Sequence, residues 1–64
     1  MTFDTALLRT LLTTAREKKD RKALARASGM LNSTEFERLP EDVQVHLCME
    51  YSEADIAVRE AFAS

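Results

Sequence analysis

The chain has 64 residues, of which 45% are hydrophobic and 31% charged, and its formal net charge at pH 7 is -2. A chain this short forms one domain that buries only about 60% of the surface its unfolded form exposes. Its single Cys excludes an internal disulfide, so association is the remaining route to extra stability. The acidic opening, Met1–Asp4, and the lack of an apolar run of about 20 residues predict neither a signal peptide nor a membrane span, so we expect a cytoplasmic protein.

The charge is divided unevenly between the two halves of the chain. Residues 1–34 hold seven basic and three acidic side chains, whereas residues 35–64 hold two basic and eight acidic ones. This complementarity indicates either two halves that fold against each other or a basic half that contacts nucleic acid. We favour the first interpretation.

The first predicted element is an amphipathic helix that begins after Thr2 or Asp4, since either side chain can cap it. Its apolar residues share one face at i, i+3, i+4 spacing; they are Leu7, Leu8, Leu11, Leu12 and Ala15. The next apolar group lies roughly 120° around the helix; it comprises Ala23, Leu24, Ala27 and Leu31. Either the helix breaks near Asp20, a competent N-cap, or lysine stems lie along the seam. We expect one helix over about residues 4–28.

The middle of the chain, residues 29–39, is predicted to be a connection. Gly29 stands where a left-handed residue commonly ends a helix. Thr34–Glu37 has a capping-box pattern, which indicates a short helical turn. Pro40 restricts Leu39 and stops that turn.

The second long helix is predicted over about residues 40–62, because Pro40 and the acids after it favour a helix start. Its larger apolar face comprises Val43, Leu47, Tyr51, Ala54, Val58, Ala61 and Phe62. A second face, roughly 160° away, carries Val45, Met49 and Ile56 and is interrupted by Ser52. A hairpin buries only one face, so the second needs another partner.

These elements predict an all-α antiparallel helical hairpin with a short helical turn in the connection. Phe3 would then lie near Phe62 and clamp the termini. Two hairpins would dimerise into a four-helix bundle through the second face. The predicted interaction residues are Val45, Met49, Ile56, Phe3 and Phe62.

No residue pattern supports catalysis or a cofactor. His46, Cys48 and Glu50 suggest a metal site, but positions two apart on a helix point about 200° apart, so the three cannot converge on one ion. No Gly-rich loop accompanies the lone Cys and His. We therefore expect no metal, no cofactor and no enzymatic activity.

A DNA-associated regulator is the alternative function. It would use the basic segment Arg16–Arg26, in which the candidate phosphate contacts are Arg16, Lys18, Lys19, Arg21 and Lys22. Lys22–Gly29 resembles the first helix and turn glycine of a helix-turn-helix motif, but Glu35 stands where that motif needs an apolar residue. A third hypothesis is a purely structural or antitoxin-like partner that folds fully only in a complex.

Two segments, Met1–Leu8 and Phe36–Leu47, resemble the short helical proteins that lambda-like temperate phages encode between their recombination and excision genes. The resemblance implies a non-enzymatic early phage protein that acts in the host cytoplasm. It also implies an effect on the choice between lysogeny and lytic induction, through a host or phage protein. With the apolar second face, it predicts a regulator that works by self-association and protein binding.

Overall fold

A computed structural model describes residues 3–63. Helices hold 85% of the structure, and the described residues include no strand, so the all-α prediction is confirmed. The helices are α1 (Thr5–Lys18), α2 (Arg21–Leu31), α3 (Thr34–Glu37) and α4 (Glu41–Ala63). The sequence analysis predicted this last helix over about residues 40–62.

The single helix expected over residues 4–28 is wrong, because the chain reverses between α1 and α2. Lys19 adopts a left-handed backbone conformation, with φ 55° and ψ 43°. The backbone N–H groups of Lys19 and Asp20 both donate to the carbonyl of Ala15, which satisfies the end of α1. The phase slip of the apolar residues therefore marks a break, and the lysines do not continue a seam.

Asp20 starts α2 directly after the break. Its carboxylate accepts hydrogen bonds from the backbone N–H groups of Lys22 (2.9 Å) and Ala23 (3.2 Å). Asp4 caps α1 in the same way through Leu7, at 2.9 Å. An Asp side chain at this position satisfies donors that have no partner inside the helix.

Gly29 is not the left-handed residue that ends the first half of the chain. It lies inside α2, which continues to Leu31, and its φ is not positive. The turn that follows is closed by Ser33, whose hydroxyl donates to the carbonyl of Met30 at 2.7 Å. The same hydroxyl accepts from the backbone N–H of Phe36, so Ser33 rather than Thr34 caps α3.

The start of α4 is tied to the connection by Gln44. Its side-chain amide donates to the carbonyls of Glu37 (3.1 Å) and Leu39 (2.7 Å). The carbonyl of Glu37 belongs to the last residue of α3 and that of Leu39 lies just after the helix, where no helical N–H remains to donate to them. The bonds hold the bend around Pro40 in one geometry.

Two contacts show how the long helices are directed. Phe3, before α1, packs its ring 5.7 Å from that of Phe36 in α3, so α2 runs back along α1. The guanidinium of Arg21, at the start of α2, lies 5.2 Å from the ring of Phe62 near the end of α4. Helix α4 is therefore antiparallel to α2 and parallel to α1. The predicted contact between Phe3 and Phe62 is wrong, because the reversal at Lys19 places the two rings at opposite ends of α2.

The core lies between α1, α2 and α4, each of which contacts the other two. Four of its nine buried residues are alanines, and small side chains allow helix axes to approach closely. The nine are Leu8, Leu12, Ala15, Ala23, Ala27, Phe36, Leu47, Ala54 and Val58. The chain thus forms a three-helix unit in which α4 lies on the α1–α2 pair.

The cap at Asp20 should contribute measurably to stability. We expect Asp20→Ala to lower the free energy of unfolding by about 1 kcal/mol, because two N–H groups lose their acceptor. Urea denaturation followed by circular dichroism measures the change. Glu17→Ala removes an exposed acid of α1 and serves as the control. Equal stability of the two variants would contradict the capping role.

Candidate interaction surface

The outer face of α4 carries a row of large apolar side chains that the chain itself leaves uncovered. Val45, Met49 and Ile56 are 51%, 58% and 55% exposed. Ser52 is also exposed and lies between them. We call these four residues the outer row.

The outer row follows from the periodicity of α4. The buried residues Leu47, Ala54 and Val58 face α1 and α2, and the outer row lies on the opposite side at about 100° per residue. Its members are spaced by four, three and four positions, which is the apolar spacing of a coiled-coil seam. An isolated apolar side chain on a surface is ordinary, whereas an aligned row at seam spacing makes this face the candidate interaction surface.

The relief of this face is shallow. A depression of about 420 Å³ lies along the first half of α4 and is open to solvent. It is lined by Glu41, Gln44, Val45, Cys48, Met49 and Ser52. Small-molecule sites enclose most of their ligand, whereas this depression belongs to one helix. Its shape suits the side chains of another helix better than a small ligand.

The two predicted phenylalanines lie apart from the outer row. Phe3 is partly buried against Phe36 and the core. Phe62 is 61% exposed and is covered on one side by Arg21. Of the five predicted interaction residues, only Val45, Met49 and Ile56 share one face.

The basic residues predicted to contact nucleic acid surround the reversal between α1 and α2, and all five are exposed. Arg16 lies 3.7 Å from Glu53 of α4, and Lys19 donates to the carbonyl of Arg16 at 2.9 Å. With Arg21 over Phe62, three of the five cations have contacts inside the chain. The remaining two are Lys18 and Lys22.

The structure does not bring His46, Cys48 and Glu50 together as one group. His46 Nδ1 lies 3.0 Å from the carbonyl of Asp42, and Cys48 is exposed. Glu50 is partly buried, and its Oε2 has no hydrogen-bond partner within the described residues. Among residues 3–63, no group of three or more His, Cys, Asp or Glu side chains is placed to hold a metal ion.

Two charged residues at the ends of the outer row were not among the interaction residues predicted from the sequence. Asp42 lies one turn before Val45, and Arg59 lies one turn after Ile56. Arg59 Nε donates to Asp55 at 3.0 Å, while 79% of the Arg59 side chain stays exposed. Heptad spacing extended beyond the apolar residues would have included both positions.

Comparisons with known proteins assign no family to the chain, since no family model, curated protein or solved structure matches it. Within the described residues, none of the helices has the length and apolarity needed to cross a membrane. Function is therefore inferred from the surface itself.

Because Cys48 is exposed, we expect its thiol to be dispensable for folding. We expect Cys48→Ser to change the free energy of unfolding by less than about 0.5 kcal/mol, as is usual for surface substitutions. Thermal unfolding of both proteins checks this. Elemental analysis is the companion measurement, and stoichiometric metal that disappears with the substitution would contradict our reading of this helix.

Proposed function

We propose that this protein is a non-enzymatic regulator that acts through helix-mediated association, and that the outer row of α4 binds a second copy of the chain. The observation that carries the proposal is the alignment of Val45, Met49 and Ile56, each more than half exposed, at seam spacing. Burial of such side chains removes apolar surface from water. The small core of a 64-residue chain gives association a further role in stability.

The association we propose is reversible. A row of three apolar residues on one helix makes a small interface, and small interfaces are typical of transient encounters. Each chain brings three long helices, so the dimer joins two three-helix units through α4. This arrangement replaces the four-helix bundle expected from two hairpins.

We also propose a setting for this regulator, supported by the resemblance to lambda-like phage proteins. In that setting the protein acts in the host cytoplasm and binds a host or phage protein that affects the choice between lysogeny and lytic induction. A regulator of the non-enzymatic kind that we propose acts by binding, and the exposed apolar side chains of α4 favour a protein partner. Reversible self-association would make its active concentration a controlled quantity.

Replacing two members of the outer row should abolish self-association. We expect Met49→Glu/Ile56→Glu to sediment as a monomer where the parent chain is a dimer, because the interface would bury unpaired charge. Analytical ultracentrifugation from micromolar to millimolar concentration measures the change.

Leu7→Glu is the matched control, since Leu7 is 48% exposed but lies on α1. It should leave the dimer intact. A parent chain that stays monomeric at every concentration would overturn self-association through this row.

Direct DNA binding is the second candidate, favoured by the five exposed cations around the reversal. Phosphate contacts weaken steeply as salt rises, and three of these cations already have partners in the chain. We therefore expect no binding of a labelled DNA duplex at physiological salt, measured by fluorescence anisotropy. Binding that weakens steeply as salt rises and disappears in Lys18→Glu/Lys22→Glu would instead favour the DNA-associated regulator.

A further inference from the structure

We infer that two copies of the chain pair their α4 helices antiparallel, with Asp42 of each copy facing Arg59 of the other. This inference rests on the proposed self-association and adds its direction, register and end contacts. It is carried by the order of charged, apolar and small residues along the exposed face of α4.

The register follows from the heptad positions. On α4 the seam consists, in order, of Asp42, Val45, Met49, Ser52, Ile56 and Arg59. When the seams of two copies run antiparallel, Val45 of one copy lies opposite Ile56 of the other, and Met49 lies opposite Ser52. The two-fold axis then passes between residues 50 and 51. Every apolar residue of the outer row lies inside the contact, and the charged pair lies at each end.

Charge selects the antiparallel direction. Parallel α4 helices would bring Asp42 against Asp42 and Arg59 against Arg59, which places like charges within one seam. Antiparallel helices replace both repulsions by two ion pairs. Arg59 can take part without leaving Asp55, because only its Nε donates to that carboxylate and the guanidinium has further N–H donors.

The same seam disfavours a shift by one heptad. Sliding the second copy in one direction sets Met49 opposite Arg59, and sliding it in the other sets Asp42 opposite Ser52 and leaves Ile56 without an apolar partner. The central layer also has suitable shapes. Ser52 is small, and the flexible side chain of Met49 can fill the space that it leaves.

The first test reverses the end charges one at a time and then together. In Asp42→Arg or Arg59→Glu alone, both ends of the antiparallel dimer would carry like charges, so we expect dimerisation to weaken about tenfold. In the double variant the pairs are restored with opposite polarity. Its dissociation constant should return to within about threefold of the parent value, measured by sedimentation equilibrium.

A matched control reverses the same two charge signs elsewhere. Glu17→Arg/Lys22→Glu alters exposed residues of α1 and α2 and leaves net charge unchanged, as the α4 double variant does. It should dimerise like the parent chain. Circular dichroism of each variant establishes that folding is retained.

The second test uses distance and does not depend on charge. In a Cys48→Ser background, Val45→Cys/Ile56→Cys should oxidise to a covalent dimer, because antiparallel helices bring position 45 beside position 56 of the other copy. Val45→Cys alone should not, since the two copies of position 45 would lie 11 residues apart, about 16 Å along the helix. A disulfide requires Cα atoms within about 7 Å.

The outcomes separate this inference from the proposed function. Equal dimerisation of the parent, both single charge variants and their double, together with a disulfide in Val45→Cys alone, would show parallel pairing and overturn only the antiparallel arrangement. A dimer that survives Met49→Glu/Ile56→Glu would overturn the outer row as interface, and a monomeric parent chain would overturn both.

Discussion

The reversal of the chain at Lys19 and Asp20 is the constraint on which the rest of the structure depends. A left-handed residue costs about 1–2 kcal/mol when it is not glycine, and here Lys19 adopts that conformation. Closure of the end of α1 on Ala15 and the double N-cap by Asp20 offset this cost. The reversal lays α2 against α1, and the pair provides the surface on which α4 packs.

The two-sided character of α4 follows from that arrangement. Its inner face meets two helices, which bury Leu47, Ala54 and Val58 and partly cover Val43 and Tyr51. Within residues 3–63 no further helix packs on the far side of α4, so the outer row remains exposed. A core in which four of nine buried residues are alanines removes little apolar surface per residue. The apolar surface that α4 leaves exposed is therefore large for a chain of this size.

Sequence periodicity was sufficient for some features and insufficient for others. It predicted α4 and its outer row, because within one uninterrupted helix the rotation of about 100° per residue assigns each side chain to a face. It did not decide between a break at Asp20 and a lysine-covered seam, since both produce the same phase slip. The left-handed residue that ends α1 is Lys19, whereas the sequence analysis placed the end of the first helix just before the sole glycine, Gly29. The contact of Phe3 with Phe36 depends on the direction of α2, which local patterns do not encode.

Charged residues interact between the helices of this chain, and they are also ordered along α4 itself. Between helices, the guanidinium of Arg16 in α1 lies 3.7 Å from the carboxylate of Glu53 in α4. This pair is exposed, so it contributes little stability by itself. Along α4, acids occupy the first turn, as the helix dipole favours, whereas Arg59 lies before the last turn, which holds no basic residue. A helix with that polarity and an apolar row between its charges is complementary to its own reverse. The acidic first turn that stabilises α4 thus also takes part in the antiparallel pairing that we propose.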